Sequence, residues 1–343
     1  MEQRGESGRP RNPTLKDVAV LAGVSIATAS KALNNRGQVH PATRTRVLDA
    51  AERVRFRPNP LAQALLAGQT GTVGLLTDDL VGRFSIPILM GTEDAFGTGK
   101  MSVFLCDARG DAIRLSYHLQ ALLDRRVDGL IVVGSNTNPR PSLGRDLPVP
   151  VVYVYGPSED PRDISLVPDN VGAGVMAAQH LISTGRTRIA HITGERWFIA
   201  ALDRAVGISE TLVTAGLDLL GGNAVYGSWS ESWGRTATLA LLEQHPDIDA
   251  ILCGSDQIAR GALDVLRERG VTVPTDIAVM GFDNWETLTT ESRPQLTSVD
   301  MNLETLGWLA AQRLFSAIKG IEHAGVESLP CRLVVRESTA RQS

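Results

Sequence analysis

Residues 14–34 read Thr-Leu-Lys-Asp-Val-Ala-Val-Leu-Ala-Gly-Val-Ser-Ile-Ala-Thr-Ala-Ser-Lys-Ala-Leu-Asn, a pattern for two short helices joined by a tight turn. Thr14 and Asp17 form a Ser/Thr-x-x-Asp/Glu start signal, so the Thr14 hydroxyl can cap the first helix. Val18, Leu21 and Ala22 give that helix an apolar face. Gly23 supplies the positive φ that ends it, Val24 fills the angle between the helices, and Ser25 caps the second. A helix that begins three residues after its predecessor ends cannot lie antiparallel on it and must cross steeply. Its polar face then points outward, the arrangement that sets a helix in the DNA major groove.

Charge supports this reading. The first 70 residues carry eleven Arg and Lys against five carboxylates, a net +6, so the remainder holds −10 of the overall −4. A basic head on an acidic body attracts phosphates without making the whole molecule adhesive. A length of 343 residues suits one small domain plus one or two larger ones. The apolar runs are strand-sized and broken by Gly, Asp or Pro, so no membrane partner is expected. Residues 1–12 are polar and lack the apolar core of a secretory signal; a disordered tail and a cytoplasmic, nucleoid-associated protein are expected. Cys106, Cys253 and Cys331 are odd in number and scattered, as in a reduced compartment.

Pro41 suits the first turn of a third helix running to about Val54, with Val47, Ala50, Ala51 and Val54 inward and Arg44, Arg46, Arg53 and Arg55 outward. Arg57-Pro58-Asn59-Pro60-Leu61-Ala62-Gln63-Ala64-Leu65-Leu66-Ala67-Gly68 follows: a capping Asn, a helix-starting Pro, one or two turns of Ala and Leu, and a terminating Gly. A helix that short is marginal alone in water.

Thr14-Leu-Lys-Asp-Val-Ala-x-x-Ala-Gly-Val-Ser25, Thr28-x-Ser30-x-x-Leu33-Asn34 and Pro58-Asn59-x-x-Ala62-x-x-Leu65 resemble the head and hinge helix of the LacI/GalR family of bacterial transcription regulators. The resemblance implies a homodimer on double-stranded operator DNA, with hinge helices that fold on the duplex. Leu65 falls on the leucine that wedges into the minor groove, a device that favours an easily kinked central step. By position Ile26, Ala27 and Lys31 face the major groove, while Ser25, Thr28 and Ser30 suit phosphate contacts. Thr14, Asn34, Arg44, Asn59 and Ala62 complete the expected DNA set. The chain departs from the common pattern at Ala29, where Val is usual, and at Lys31, where Arg is usual and makes a better bidentate fork.

From Thr72 onward, β-rich runs alternate with helical stretches: Val73–Leu76, Ser102–Cys106, Gly129–Val133, Val151–Val154, Ile189–Thr193, Ala250–Cys253 and Ile277–Gly281. Such alternation predicts doubly wound parallel sheets covered by helices, with ligands beyond the carboxyl ends of the strands. Polar residues stand there: Asp78 and Asp79, Asp107, Ser135 and Asn136, Ser255 and Asp256, Asp283 and Asn284. Converging carboxylates suit hydroxyl groups, and Phe84, Trp197, Trp229 and Trp285 lie in nearby loops where a sugar ring can stack.

Arg126-Val-Asp-Gly-Leu-Ile131, Asp169-Asn170, Ser255-Asp256 to Gly261, Pro274-x-Asp276-x-x-x-x-Gly281-Phe282-Asp283 and Pro294-Gln-Leu-Thr-Ser-Val299 resemble the same family's effector core, a two-lobed body like a periplasmic sugar-binding protein. In carbohydrate-responsive members, residues matching Arg204, Asp256 and Asp283 contact the sugar; the Arg204 motif departs from the family's Gly-Phe/Tyr only at Ile208. The expected effector set is Asp79, Phe84, Asp107, Ser135, Trp197, Arg204, Trp229, Asp256, Asp283 and Trp285.

The expected organisation is a tail (1–12), a three-helix helix-turn-helix head (13–58), a hinge helix and linker (59–70), and an α/β core (71–343). Its first lobe is expected at about 71–168 and 297–325, its second at about 169–296 and 326–340, with a late strand over Leu329–Val335. Enzyme signatures are missing: Gly97-Thr-Gly-Lys100 lacks the leading Gly of a P-loop and has Met101 where Ser/Thr is needed. The six His lack metal-ligand spacing, so neither cofactor nor metal is expected. A sugar-released repressor is the expected function. The fold leaves open a purine or phosphorylated co-repressor, and more distantly a solute-binding protein without a DNA role.

Overall fold

A computed structural model describes residues 13–33, 37–54, 56, 70–80, 83–97 and 101–340. Contacts divide the chain into two compact units, 1–70 and 71–343.

The first unit holds α1 (Leu15–Ala22), α2 (Ile26–Leu33) and α3 (Pro41–Arg53). Thr14 and Asp17 make a reciprocal cap: the Thr14 N–H donates to Asp17 Oδ2 at 2.7 Å and Thr14 Oγ1 accepts from the Asp17 N–H at 3.4 Å. Gly23 ends α1 at φ 63°. Val18, Ala19, Ala22, Ala29, Ala32, Val47, Ala50 and Ala51 form the core, with Val24 and Phe56 packed against it. Small side chains let the three helices approach closely. Leu21, expected inward, is 49% exposed, because Ala19 completes the inward stripe instead. The expected hinge helix lies outside the described residues.

The second unit is α/β. Its elements are β1 (Thr72–Thr77), α4 (Ser85–Phe96), β2 (Ser102–Asp107), α5 (Ala112–Asp124), β3 (Gly129–Val133), β4 (Val151–Val154), β5 (Ile164–Pro168), α6 (Asn170–Ser183), β6 (Ile189–Thr193) and α7 (Ile199–Thr214). They continue with β7 (Val225–Tyr226), α8 (Glu231–Gln244), β8 (Ala250–Cys253), α9 (Asp256–Glu268), β9 (Ala278–Phe282), α10 (Glu286–Thr289), β10 (Thr297–Asp300), α11 (Leu303–Ile318), β11 (Gly325–Leu329) and β12 (Arg332–Val334). One sheet runs β11-β5-β4-β3-β1-β2, the other β12-β10-β9-β8-β6-β7. Every pairing is parallel except β12 against β10. Strands β3, β6, β8 and β9 are buried on both faces, which their unbroken apolar runs require.

Each sheet is one lobe, and two expected lobe limits are corrected. Thr297–Asp300 pairs with β9, so the chain returns to the first lobe at 301–302 and not at 297. Gly325–Leu329 pairs with β5 in the first sheet, so the last crossing follows Leu329 and not 325. The expected strand over Leu329–Val335 is two strands in two sheets. Pro330, which has no N–H to give a ladder, stands between them. Strand order reverses between β1 and β3 in the first sheet and between β6 and β8 in the second, which opens a crevice at the carboxyl ends there.

Candidate functional site

In the head, Ser25, Ile26, Ala27, Thr28, Ser30 and Lys31 lie on α2 or at its start, Thr14 caps α1, and Arg44 lies on α3. Ser25 Oγ accepts from the Thr28 N–H at 3.1 Å and lies 2.8 Å from Thr28 Oγ1, so the helix start is fixed. Ala29 and Ala32 face the core, which turns Ile26, Ala27 and Lys31 to solvent. Ile26 is 51% exposed. Thr14, Thr28 and Ser30 are half-buried, and so is Arg44, whose Nε is buried without a hydrogen-bond partner. Asn34, Asn59, Ala62 and Leu65 lie outside the described residues.

In the second unit, a cavity of about 170 Å³ opens where the two crevices face each other. The first lobe contributes Arg83 and Phe84 after β1, Ser135, Asn136 and Thr137 after β3, and Tyr155 after β4. The second contributes Phe198, Ala200 and Arg204 at the start of α7, Trp229 after β7, and Asp283 after β9. Phe84 stacks on Tyr155 with ring centroids 4.8 Å apart. The Trp229 ring lies flat on Gly194, where any Cβ would collide with it. Asp78 holds Arg140 at 2.9 Å, which ties the β1 loop to the segment after β3.

Asp283 is the electrostatic centre. Its backbone sits at φ 98°, a costly conformation for a side-chain-bearing residue. The next residues hold it there: the Asn284 N–H donates to Ser298 Oγ at 3.0 Å, and Arg336 Nη2 donates to Asn284 Oδ1 at 2.8 Å. The Asp283 carboxylate lies 3.1 Å from Arg83 Nη1 and 3.8 Å from Arg204 Nη1. Arg204 is anchored by Asn170 Oδ1 at 2.9 Å and the Gly254 carbonyl at 2.6 Å, and its guanidinium lies 3.9 Å from the Phe282 ring centroid. Behind this layer, Asp256 accepts from Ser298 Oγ at 2.6 Å and the Trp285 N–H at 2.7 Å. Burial, reinforced by the Asp283 charge, pushes Asp256 up to about 8. Burial also raises Asp283, against the pull of both guanidiniums.

The lobes also meet at Asn138. Its Oδ1 accepts from the Ile199 N–H at 2.8 Å and its Nδ2 donates to the Trp197 carbonyl at 3.2 Å. A first-lobe side chain thereby caps a second-lobe helix.

Of the ten expected effector residues, Phe84, Ser135, Arg204, Trp229 and Asp283 line the cavity. The other five do not, each for a local reason. Asp79 serves the β1 turn, its N–H on Thr77 Oγ1 and its carbonyl accepting from Ser85 Oγ. Asp107 ends the edge strand β2, away from the strand-order reversal, and accepts from the Arg109 N–H at 2.9 Å. Trp197 is 64% exposed and stacks outside Phe198, which takes the inward place. Trp285 lies under Arg83 at 4.5 Å instead of in the cavity wall. Asp256 is wholly buried behind Asp283. Arg83, Tyr155, Phe198 and Asn138 were not expected. Applied to the fourth run, Val151–Val154, the strand-end rule reaches Tyr155; nothing local marks Arg83 beyond its place beside Phe84.

Comparison with known proteins agrees with both halves. Residues 14–59 match the model of the bacterial regulatory proteins of the lacI family, and residues 178–339 match a periplasmic binding protein-like domain. The chain is 34% identical to the HTH-type transcriptional regulator CelR of Thermobifida fusca over 96% of its own length and 99% of the relative's. The chain belongs to the LacI family. This LacI-family chain is also 32% identical to Catabolite control protein A of Priestia megaterium, over 96% of this chain and 99% of that one. The Ribose operon repressor of Escherichia coli is 34% identical over 89% of this chain and 93% of its own. Among solved structures, a lac repressor dimer bound to operator and the anti-inducer ONPF superposes with TM-score 0.76 at 26% identity, covering 96% and 100% of the two chains. A CelR–cellobiose complex superposes with TM-score 0.64 at 32% identity, covering 95% and 99%. The protein is therefore a DNA-binding transcriptional regulator, and its relatives are regulators, not enzymes. No helix among the described residues is long and apolar enough to cross a membrane.

Proposed function

We propose that the protein is a homodimeric repressor of carbohydrate-use genes, released from a near-palindromic operator by a small sugar. The observation that carries this reading is the interlobe cavity, whose aromatic walls (Phe84, Tyr155, Phe198, Trp229) surround a charged group formed by Asp283 and Arg204. Rings of this kind stack on the faces of a sugar, and carboxylate and guanidinium groups hydrogen-bond its hydroxyls. The sugar complex of CelR supports it. In the head, Ile26, Ala27 and Lys31 read bases, Thr14, Ser25, Thr28, Ser30 and Arg44 meet phosphates, and Asn34, Asn59, Ala62 and Leu65 act as the family resemblance implies. The second copy covers the apolar side chains exposed around the edge strand β2: Ile86, Met90, Phe104, Ile113 and Tyr117. Sugar binding favours one lobe arrangement, and DNA weakens sugar binding by the same factor that sugar weakens DNA binding.

The test starts by selecting a duplex from a random library with the purified protein. A panel of mono- and disaccharides is then screened for a rise in melting temperature and for release of that duplex. One sugar is expected to do both. Failure to select any duplex over scrambled competitor sinks the regulator reading.

A further inference from the structure

Arg83 and Arg204 approach the cavity from opposite lobes and share one carboxylate, Asp283. Both guanidiniums are largely withdrawn from water, with side chains 18% and 3% exposed. Arg204 is committed to Asn170, Gly254 and Met301, none of which carries a charge. Asp256 makes no ion pair with either guanidinium: its oxygens accept from the Trp285 N–H and the Ser298 hydroxyl, Arg83 acts on it only at a distance, and it does not line the cavity. Its raised proton affinity points the same way. Asp203, beside Arg204 on α7, is half-buried and outside the cavity lining. The charged groups lining the cavity are thus two cations and one anion, in a partly enclosed place where water screens the excess less than in bulk.

Arg83 is also built to face a ligand. Its guanidinium lies 4.5 Å from the Trp285 ring centroid and 5.3 Å from that of Phe84, so its plane is held between rings. Nη2 reaches Gln257 Oε1 only at 3.4 Å. Nη1, buried, has Asp283 Oδ2 at 3.1 Å as its sole partner. Thr137 Oγ1, buried in the same lobe's wall after β3, has no hydrogen-bond partner. A buried polar atom on a cavity wall is one that a ligand can complete.

We propose that the effector of this protein is an anionic sugar derivative, a sugar carboxylate or a sugar phosphate, whose negative charge is held by Arg83 while Thr137 takes one of its hydroxyls. The inference rests on the sugar-effector reading and narrows it. A neutral sugar satisfies the aromatic walls and Asp283 but leaves the second cation unmatched. An anion also bridges the lobes, because Arg83 belongs to the first and Arg204 to the second. Carboxylate and phosphate both suit a guanidinium fork.

The test uses the full-length protein and titration calorimetry with D-glucuronate, D-gluconate and D-glucose 6-phosphate against D-glucose and cellobiose. The expected result is that at least one acid binds at least 10-fold more tightly than its neutral counterpart. Added salt then weakens that acid more than the neutral sugars. Which acid binds separates the carboxylate from the phosphate source. Arg83→Gln is expected to lower affinity for that acid at least 10-fold, and Arg83→Lys to recover part of the loss. Melting curves of the unliganded variants check that both fold. Preferential binding of a neutral sugar, or an acid affinity that ignores Arg83→Gln, overturns the inference and leaves the regulator reading standing. So does the absence of binding by every acid while operator binding persists. Loss of any operator preference in the wild-type protein overturns the regulator reading itself.

Discussion

Asp283 Oδ2 of the second lobe lies 3.1 Å from Arg83 Nη1 of the first, so a buried ion pair spans the cavity. Replacing Asp283 by Asn keeps the shape and removes the carboxylate that pairs with both guanidiniums. Breaking a buried pair by neutralising one partner costs about 3 kcal/mol. Asp283→Asn is expected to lower the melting temperature by several degrees and to abolish effector-driven release of operator. Gel-shift titration with effector checks this; release at the wild-type effector concentration removes Asp283 from the proposed site.

Asn138 contributes a second, uncharged bridge by capping α7 from the opposite lobe. Losing a capping side chain costs about 1 kcal/mol, which corresponds to about 5-fold in an equilibrium constant. Asn138→Ala is expected to weaken effector binding by about that factor, by disfavouring the closed lobes without touching the cavity wall. Calorimetry that finds unchanged affinity shows that this bridge does not contribute to closure.

Burial raises Asp256 above its value in the unfolded chain, so the folded state holds the proton more tightly. The corresponding stability is fully present below the unfolded pKa of about 4 and is lost as pH rises through about 8. The slope is at most about 1.4 kcal/mol per pH unit. Melting temperature is therefore expected to fall between about pH 5 and 8, and Asp256→Asn to flatten the decline. Parallel pH profiles for the two proteins contradict the assignment.

The apolar group around β2 exposes Ile113 by 81% and Tyr117 by 71%. With a second copy as the proposed cover, Ile113→Asp combined with Tyr117→Asp is expected to yield monomers in sedimentation velocity and to weaken operator binding at least 10-fold. A dimer that survives both changes places the contact elsewhere.

The head contacts phosphates through cations, the half-buried Arg44 among them, in this reading. Operator affinity is expected to fall steeply with salt, and Arg44→Ala to reduce the log–log slope by about 0.9, the effect of one phosphate contact. Fluorescence anisotropy at several salt concentrations measures both. An unchanged slope removes Arg44 from the phosphate set.

What the sequence made legible was local. The Thr14–Asp17 cap, Gly23 and Ser25 are determined by neighbours within four residues, and the structure forms them where the pattern put them. Strand ends were also legible, and the rule that ligands lie beyond them reached Ser135 and Asp283. The choice between adjacent residues was not. Trp197 and Phe198 are equally aromatic, and only the start of α7, where Asn138 takes the Trp197 carbonyl, decides which ring faces inward. Asp256 and Asp283 are the same residue type, and the left-handed backbone at Asp283 turns that carboxylate to the cavity. The lobe limits were missed because β10 and α11 are separated by two residues yet belong to different lobes.

The chain passes between the lobes three times, after β5, after β10 and after β11, and the first and last passages are joined by the Asp169 N–H donating to the Leu329 carbonyl at 2.8 Å. Two bodies tied by one strand can swivel freely, whereas three side-by-side ties leave them free to open like the covers of a book and little else. Rotation of that kind has one degree of freedom, so whatever fills the cavity sets a single angle. Substitutions at these three ties are thus the place to retune the response without altering which molecule is recognised.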